Sequence, residues 1–352
     1  MSVAIQCEPR ARVLKVRDAV FLHSGWRTAA TWIWSEFREL PGVVGFYEPL
    51  HESLADLRCD RIELERPDAW NSRHPGNRPY FEEFAALMGD RRPGVPGYRR
   101  AFAYDRYFLC EHEEQPGLRS YLQGLLDHAH ANDRTPVLKF ARSLGRVGWL
   151  RRCFPQAAHL LVMRDPLAQW LSAWRHARLG NPFFLAAPLA ILARNDANVL
   201  VSSALAALDL SVRDARQWTM RQTYSACVRR VVVHSPIESY RHFLAFWIAT
   251  ALASVAHADA TIDAGLLARS ALYRSRVEHT ITEFTGLAPH FHSSRPSDLG
   301  IVDTGLPMPE VVRLHEAARC AFEPKGAAWL GQWLEVEFAD HHRDALFDAN
   351  SG

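Results

Sequence analysis

Paired cysteines are missing from this chain. Cys7, Cys59, Cys110, Cys153, Cys227 and Cys320 are scattered over 352 residues with no C-x-x-C, which argues against a disulfide frame and for free thiols in a reducing compartment. The 17 histidines include no H-E-x-x-H or similar spacing, so a metal site has no support. Charge of one sign is also lacking. Lys and Arg number 41 against 39 Asp and Glu, a net charge of +2, which speaks against nucleic acid as a partner and confines any anion site to a local patch. No long apolar run occurs either. The N-terminal MSVAIQCEPRARVLKVRDAV has no signal-peptide core, and the apolar stretch from Pro182 to Ala193 stops at Arg194-Asn195-Asp196. That is well short of the roughly 20 residues needed to span a bilayer. A cytoplasmic protein without a membrane span is expected. The pattern G-x-x-x-x-G-K-[ST] is absent, which counts against an ordinary ATPase or GTPase.

What is present suits a folded enzyme: 48% hydrophobic and 23% charged residues, enough to bury a sizeable core. The simplest organisation is a single domain over residues 1–352 with insertions. Short apolar runs at Asp18 to His23, Val43 to Tyr47, Pro136 to Ala141, Ala158 to Met163 and 259–263 read as strands. Helical patterns separate them, at Thr31 to Leu40, around GRVGWLRRCF, from Asp165-Pro166 onward and through Glu283. Strands alternating with helices predict an α/β fold with a central parallel sheet, whose ligands bind beyond the carboxyl ends of the strands. Residues 52–100, rich in Arg, Pro, Asn and Asp, read as an irregular insertion with at most short helices. Residues 180–235 read as a second, helical one.

Two segments carry chemistry. AVFLHSGWRTAATWIW sets Arg27, Thr28 and Thr31 between a strand and a helix N-terminus, where free N–H groups and the helix dipole favour a phosphate or sulfate. A plain strand-to-helix turn capped by Thr fits the same residues. LLVMRDPLAQWLSAW places Arg164 just past a strand and Ser172 eight positions later. An arginine fork there suits a phosphate, and a helical serine adds a hydroxyl. The bland reading is Arg164 paired with Asp165, and Ser172 exposed on its helix.

Together the two segments resemble the PAPS-dependent sulfotransferases, in which a strand–[RK]-x-G-T-T-W–helix loop is followed by R-D-P-x₅-S. The resemblance covers residues 19–52, 136–176 and 240–287. It implies a three-layer α/β/α, P-loop-like fold with helical insertions. It also implies 3′-phosphoadenosine 5′-phosphosulfate (PAPS) as co-substrate with no metal, and transfer of a sulfuryl group to a hydroxyl. Carried over, Arg27, Thr28, Ala29, Ala30, Thr31 and Trp32 form the loop at the phosphosulfate, while Arg164 and Ser172 take the 3′-phosphate. The family's Gly-Thr is replaced by Ala29-Ala30, which adds a Cβ and removes a hydroxyl.

The resemblance also points to the catalytic groups. Glu48, closing the second strand, is the first choice for general base, with His51 and Glu52 as rivals. The family's K-T-H element corresponds to Lys139-Phe140-Ala141, which keeps the Lys and lacks the His, making Lys139 the cation near the transferred group. Arg142 and Arg146 read as a basic helix face, or as ligands of an anionic acceptor or of the donor. Trp170, Trp174, Phe243, Phe246 and Trp247 read as core rather than an adenine platform. Arg295 is a further candidate for the 3′-phosphate. A small-molecule or glycan acceptor is expected, with a sugar, glycolipid or natural product favoured and the insertions forming its side of the site. A non-catalytic nucleotide binder and an ATP-dependent kinase are the alternatives.

Overall fold

Ala19–Ser24 (β1) has every side chain buried, as a strand covered on both faces of a parallel sheet must. The computed structural model describes residues 17–68, 78–89, 93–212, 214–292 and 304–335. After β1 come Ala30–Arg38 (α1) and Val43–Tyr47 (β2), then short 3₁₀ turns through the 52–100 segment. Ala101–Tyr104 (α2), Pro116–His130 (α3) and Thr135–Phe140 (β3) follow, and Val147–Cys153 (α4) leads into Ala157–Met163 (β4). The helices Pro166–Arg178 (α5), Phe183–Arg194 (α6), Val199–Ala207 (α7), Met220–Val233 (α8) and Pro236–Ser254 (α9) precede Ala260–Asp263 (β5). Ala264–Arg269 (α10), Ala271–Thr285 (α11), Met308–Phe322 (α12) and Leu330–Leu334 (α13) complete the described elements.

The chain is an α/β protein whose five-stranded, all-parallel sheet has the order β2-β3-β1-β4-β5, flanked by helices. Each predicted strand is found within one or two residues of its expected bounds. The described residues gather into two units, one within 17–163 and 250–292, the other within 164–249 and 304–335.

The first unit contains the sheet. On one face of the sheet, β1, β2 and β3 side chains meet the apolar face of α1 (Ile33, Trp34, Phe37). On the other face Phe21 is central, with ring centroids 5.5 Å from Phe140 and 5.3 Å from Phe154. Beside it, the buried rings of His23 and His159 stack 5.3 Å apart and hydrogen-bond at 3.0 Å.

The second unit is helical. α5 starts as its sequence predicts, Asp165 accepting the Ala168 N–H at 2.7 Å ahead of Pro166. Trp170 and Trp174 are buried and stack at 5.3 Å, with the Trp170 indole donating to Ser239 at 3.1 Å. Phe243, Phe246 and Trp247 are buried in α9. Among the described residues no single helix is long and apolar enough to cross a membrane.

Candidate functional site

Three adjacent strands, β2, β3 and β1, end on one rim of the sheet, and pairing of Tyr47 with Lys139 aligns the first two. One residue on, the Glu48 amide donates to the Lys139 carbonyl at 2.7 Å, which extends the ladder, and Glu48 then turns away at φ 45°. Its carbonyl accepts the His51 N–H at 2.8 Å. That turn folds the Glu48 side chain back over the strand ends.

The carboxylate it places there is almost wholly enclosed. One oxygen accepts from the Lys139 ammonium; the other accepts from the Ala141 N–H at 2.9 Å and from Arg142 Nη1 at 3.2 Å. Arg142 Nη2 donates to Glu52 at 2.7 Å and to the Tyr104 hydroxyl at 3.2 Å, and that hydroxyl donates to Glu52 at 3.1 Å. Aromatic faces surround the cations: Lys139 Nζ lies 4.7 Å from the Tyr47 ring centroid, and the Arg142 guanidinium 5.6 Å from Trp26 and 5.3 Å from Tyr104. Two carboxylates thus alternate with two cations, Glu48, Lys139 and Arg142 buried and Glu52 partly exposed.

The charges follow from this packing. Burial pushes the Glu48 carboxyl up, but Lys139 and Arg142 outweigh it and hold the group below the ordinary carboxylate value. Glu52 is likewise raised by burial and drawn down further by Arg142, to about 2. Burial, with Arg142 adding to it, lowers His51 to about 4. The His51 Nδ1 accepts the Ser53 N–H at 3.1 Å, so the neutral ring carries its proton on Nε2 and offers no acceptor there. Both carboxylates are ionised at neutral pH, Glu52 is a weaker base than His51, and the one acceptor nitrogen of neutral His51 is already occupied by the Ser53 N–H.

The β1–α1 loop joins this group. The positive charge of Arg27 reaches both Tyr47 and Lys139, and Thr31 hydrogen-bonds the buried Tyr47 hydroxyl. Thr28 turns inward, its hydroxyl donating to Gly25 C=O at 3.0 Å; it braces the loop. Ala29 is the N-cap of α1 at φ 66° with no side-chain cap, is exposed, and hands on to the buried Ala30. Trp32 is half-buried, its ring 6.0 Å from Phe291. Among the described residues six non-glycine residues have positive φ, and three of them, Arg27, Ala29 and Glu48, belong to this rim. Strain of that kind persists where surrounding packing over-determines the backbone.

A cleft of about 480 Å³ lies beside the Glu48 turn, lined by Leu87, Pro96, Tyr98 and Tyr121 among others. The Tyr98 and Tyr121 hydroxyls donate to Leu50 C=O at 3.3 Å and Pro49 C=O at 2.9 Å, tying the cleft wall to that turn.

Arg164 and Ser172 belong to the helical unit. Arg164 directly follows β4 in the chain, and its carbonyl accepts from the Trp247 indole at 3.3 Å. Ser172 is buried on α5, which removes the bland alternative of an exposed helix serine. Arg295 lies outside the described residues.

Sequence reasoning misread one member and missed another. Arg142 stands in the loop after β3, only 1% exposed, rather than on a helix face. The available signal was its place just past a strand end, the same cue that singled out Arg164. Tyr104 carried no local signal. Arg146 also is no basic helix face: it is buried and pins the carbonyls of Phe102 at 2.5 Å and Asp105 at 2.7 Å. No protein family, no curated protein and no solved structure matches this chain.

Proposed function

We propose that this chain is a PAPS-dependent sulfotransferase of P-loop-like, three-layer α/β/α fold, acting on an acceptor hydroxyl. The observation that supports this most is the buried meeting of Lys139, Glu48 and Arg142 with the Arg27 charge at the carboxyl ends of three adjacent parallel strands. Ligands of open α/β sheets bind at such a rim. The start of α1 adds backbone N–H groups and a helix dipole suited to an anion.

In this reading Arg27, the 28–32 loop and Lys139 hold the phosphosulfate. Arg164 and Ser172 take the 3′-phosphate, an assignment resting on the R-D-P-x₅-S motif alone. The acceptor oxygen forms a bond to sulfur as the bond from sulfur to the 5′-phosphate oxygen breaks. Glu48 receives the acceptor proton, and Lys139 and Arg27 offset charge on the departing bisphosphate. The two cations that ionise Glu48 also weaken it as a base. Recruitment of Lys139 by the donor removes one of them and raises Glu48 basicity at the moment it is needed. Acceptors enter from the insertions; a sugar, glycolipid or natural-product hydroxyl is favoured.

The test is calorimetric titration with 3′-phosphoadenosine 5′-phosphate, with ATP as control. Binding of the bisphosphate in preference to ATP supports the reading; ATP binding better supports a kinase and overturns it. Ala29-Ala30 favours a second reading, a nucleotide binder without turnover, because Ala30 brings no hydroxyl to the loop. Tight bisphosphate binding with no sulfuryl released from PAPS to water or any hydroxyl acceptor would establish that one.

A further inference from the structure

α3 has two glycines, Gly117 and Gly124, and both line the cleft beside the Glu48 turn. Glycine within a helix is destabilising relative to alanine, so what these positions gain is space rather than helicity. A Cβ at Gly124 would meet nothing within 4 Å. One at Gly117 would touch Phe102 Cζ at 3.7 Å and Arg99 Cζ at 3.8 Å. The first glycine leaves the cleft open, and the second lets the Phe102 ring and the Arg99 guanidinium close in on the same spot of the helix. Every residue lining the cleft belongs to the first unit.

Most of the wall is hydrocarbon on a fixed frame. Leu87, Pro96 and Leu125 give aliphatic surface. Tyr98, Phe102 and Tyr121 form one aromatic cluster, with centroids 5.4 Å apart for Tyr98 and Tyr121, 5.8 Å for Tyr98 and Phe102, and 5.9 Å for Phe102 and Tyr121. Both tyrosine hydroxyls are already donated, to Leu50 C=O at 3.3 Å and Pro49 C=O at 2.9 Å. These bonds pin the rings, so the cleft is formed before anything enters it. Charge enters once, at Arg99. Its side chain is exposed, no Asp or Glu lines the cleft, and no carboxylate pairs with this guanidinium among the described residues. The next residue, Arg100, is by contrast paired with Asp56. A volume of about 480 Å³ lies within the range of small-molecule sites.

We infer that this cleft binds a planar aromatic molecule carrying one negative charge. The ring system lies in the apolar part of the cleft, where the aromatic cluster offers stacked or edge-to-face contacts. The carboxylate or sulfonate of the ligand meets Arg99, whose planar fork suits either group in a bidentate pair. A sugar fits less well, because the wall tyrosines have no hydroxyl left to donate. Binding of this kind requires nothing of the sulfotransferase reading.

Fluorescence titration of the full chain with 1-anilinonaphthalene-8-sulfonate tests it, with N-phenyl-1-naphthylamine as the same ring system without the charge. Saturable binding of the sulfonate at one site per chain is expected, tighter than that of the neutral amine. Gly124→Leu, which fills the cleft, should weaken both probes by on the order of tenfold or more. Arg99→Glu should weaken the sulfonate by a similar factor and leave the neutral amine unchanged. Circular dichroism should stay the same for both variants, because both positions are exposed and leucine favours a helix over glycine. Absence of saturable binding by the parent, or equal binding by Gly124→Leu, overturns the site. Equal sulfonate binding by Arg99→Glu overturns the ligand class. Displacement of the probe by 3′-phosphoadenosine 5′-phosphate also overturns the site, since it would move the probe to the strand rim.

Discussion

Glu48 and Lys139 are joined twice, the Glu48 amide to the Lys139 carbonyl at 2.7 Å and the Lys139 ammonium to the Glu48 carboxylate. The backbone bond sets the direction of the side chain, and the ion pair closes the loop. Because both side chains are buried, neither charge has water to fall back on if its partner is removed.

Glu48→Gln should therefore do two things. Leaving Lys139 and Arg142 short of a carboxylate should cost about 3–5 kcal/mol in urea unfolding. Loss of the proton acceptor should lower turnover by roughly 10²–10⁴-fold under the proposed function. The double variant Glu48→Gln/Lys139→Met separates the two effects. It should recover part of the lost stability, since the uncompensated ammonium is gone, while turnover stays low. A single variant as stable as the parent would show that the pair does not hold the rim together.

Ala29→Gly should stabilise the protein. Ala29 sits at φ 66°, where a Cβ is disfavoured by roughly 1 kcal/mol or more, and its exposure means that no packing is lost with the methyl group. A rise of about 1 kcal/mol in unfolding free energy is expected. An unchanged or lower value would mean that the loop does not hold this conformation.

The elements themselves were legible in the sequence because their cues are local. A short apolar run marks each of the first four strands, and Asp165-Pro166 marks the start of α5. The strand order was not. Insertion of β3 between β1 and β2 is a long-range choice, and the rim depends on it: Glu48 meets partners 91 and 94 positions away only because Tyr47 pairs with Lys139. Arg142 looked like a helical surface residue because the GRVGWLRRCF helix follows so closely, yet it precedes that helix and is buried. Tyr104 reaches Arg142 from α2, a four-residue helix just past the 52–100 insertion that no local pattern announces.

Arg164→Ala tests the motif that geometry leaves open. Loss of a charge-assisted contact should weaken 3′-phosphoadenosine 5′-phosphate by on the order of 2–3 kcal/mol in calorimetry. Adenosine 5′-phosphate, which lacks the 3′ group, should bind the variant and the parent alike. Equal losses for both nucleotides would assign Arg164 to the fold rather than to the 3′-phosphate.

Buried histidines should make the protein sensitive to mild acid. The His159 Nε2–H donates to Phe154 C=O at 3.1 Å, so its Nδ1 accepts from His23 Nε2–H, and His23 Nδ1 in turn accepts from the Ser143 hydroxyl at 2.8 Å. Every ring nitrogen has its role fixed with both rings neutral; an added proton would set two donors face to face. Burial lowers His159 to about 4, and burial followed by the nearby His159 lowers His23 well below its ordinary value. The unfolded chain therefore binds more protons than the folded one. Stability is full above the ordinary histidine value of about 6.5 and falls as pH drops toward 4, at about 1.4 kcal/mol per pH unit for each such histidine. Urea unfolding at about pH 7 and about pH 5 measures the slope, and His159→Gln should reduce it by roughly that amount. A slope identical in parent and variant would mean that the pair already carries a proton in the folded state.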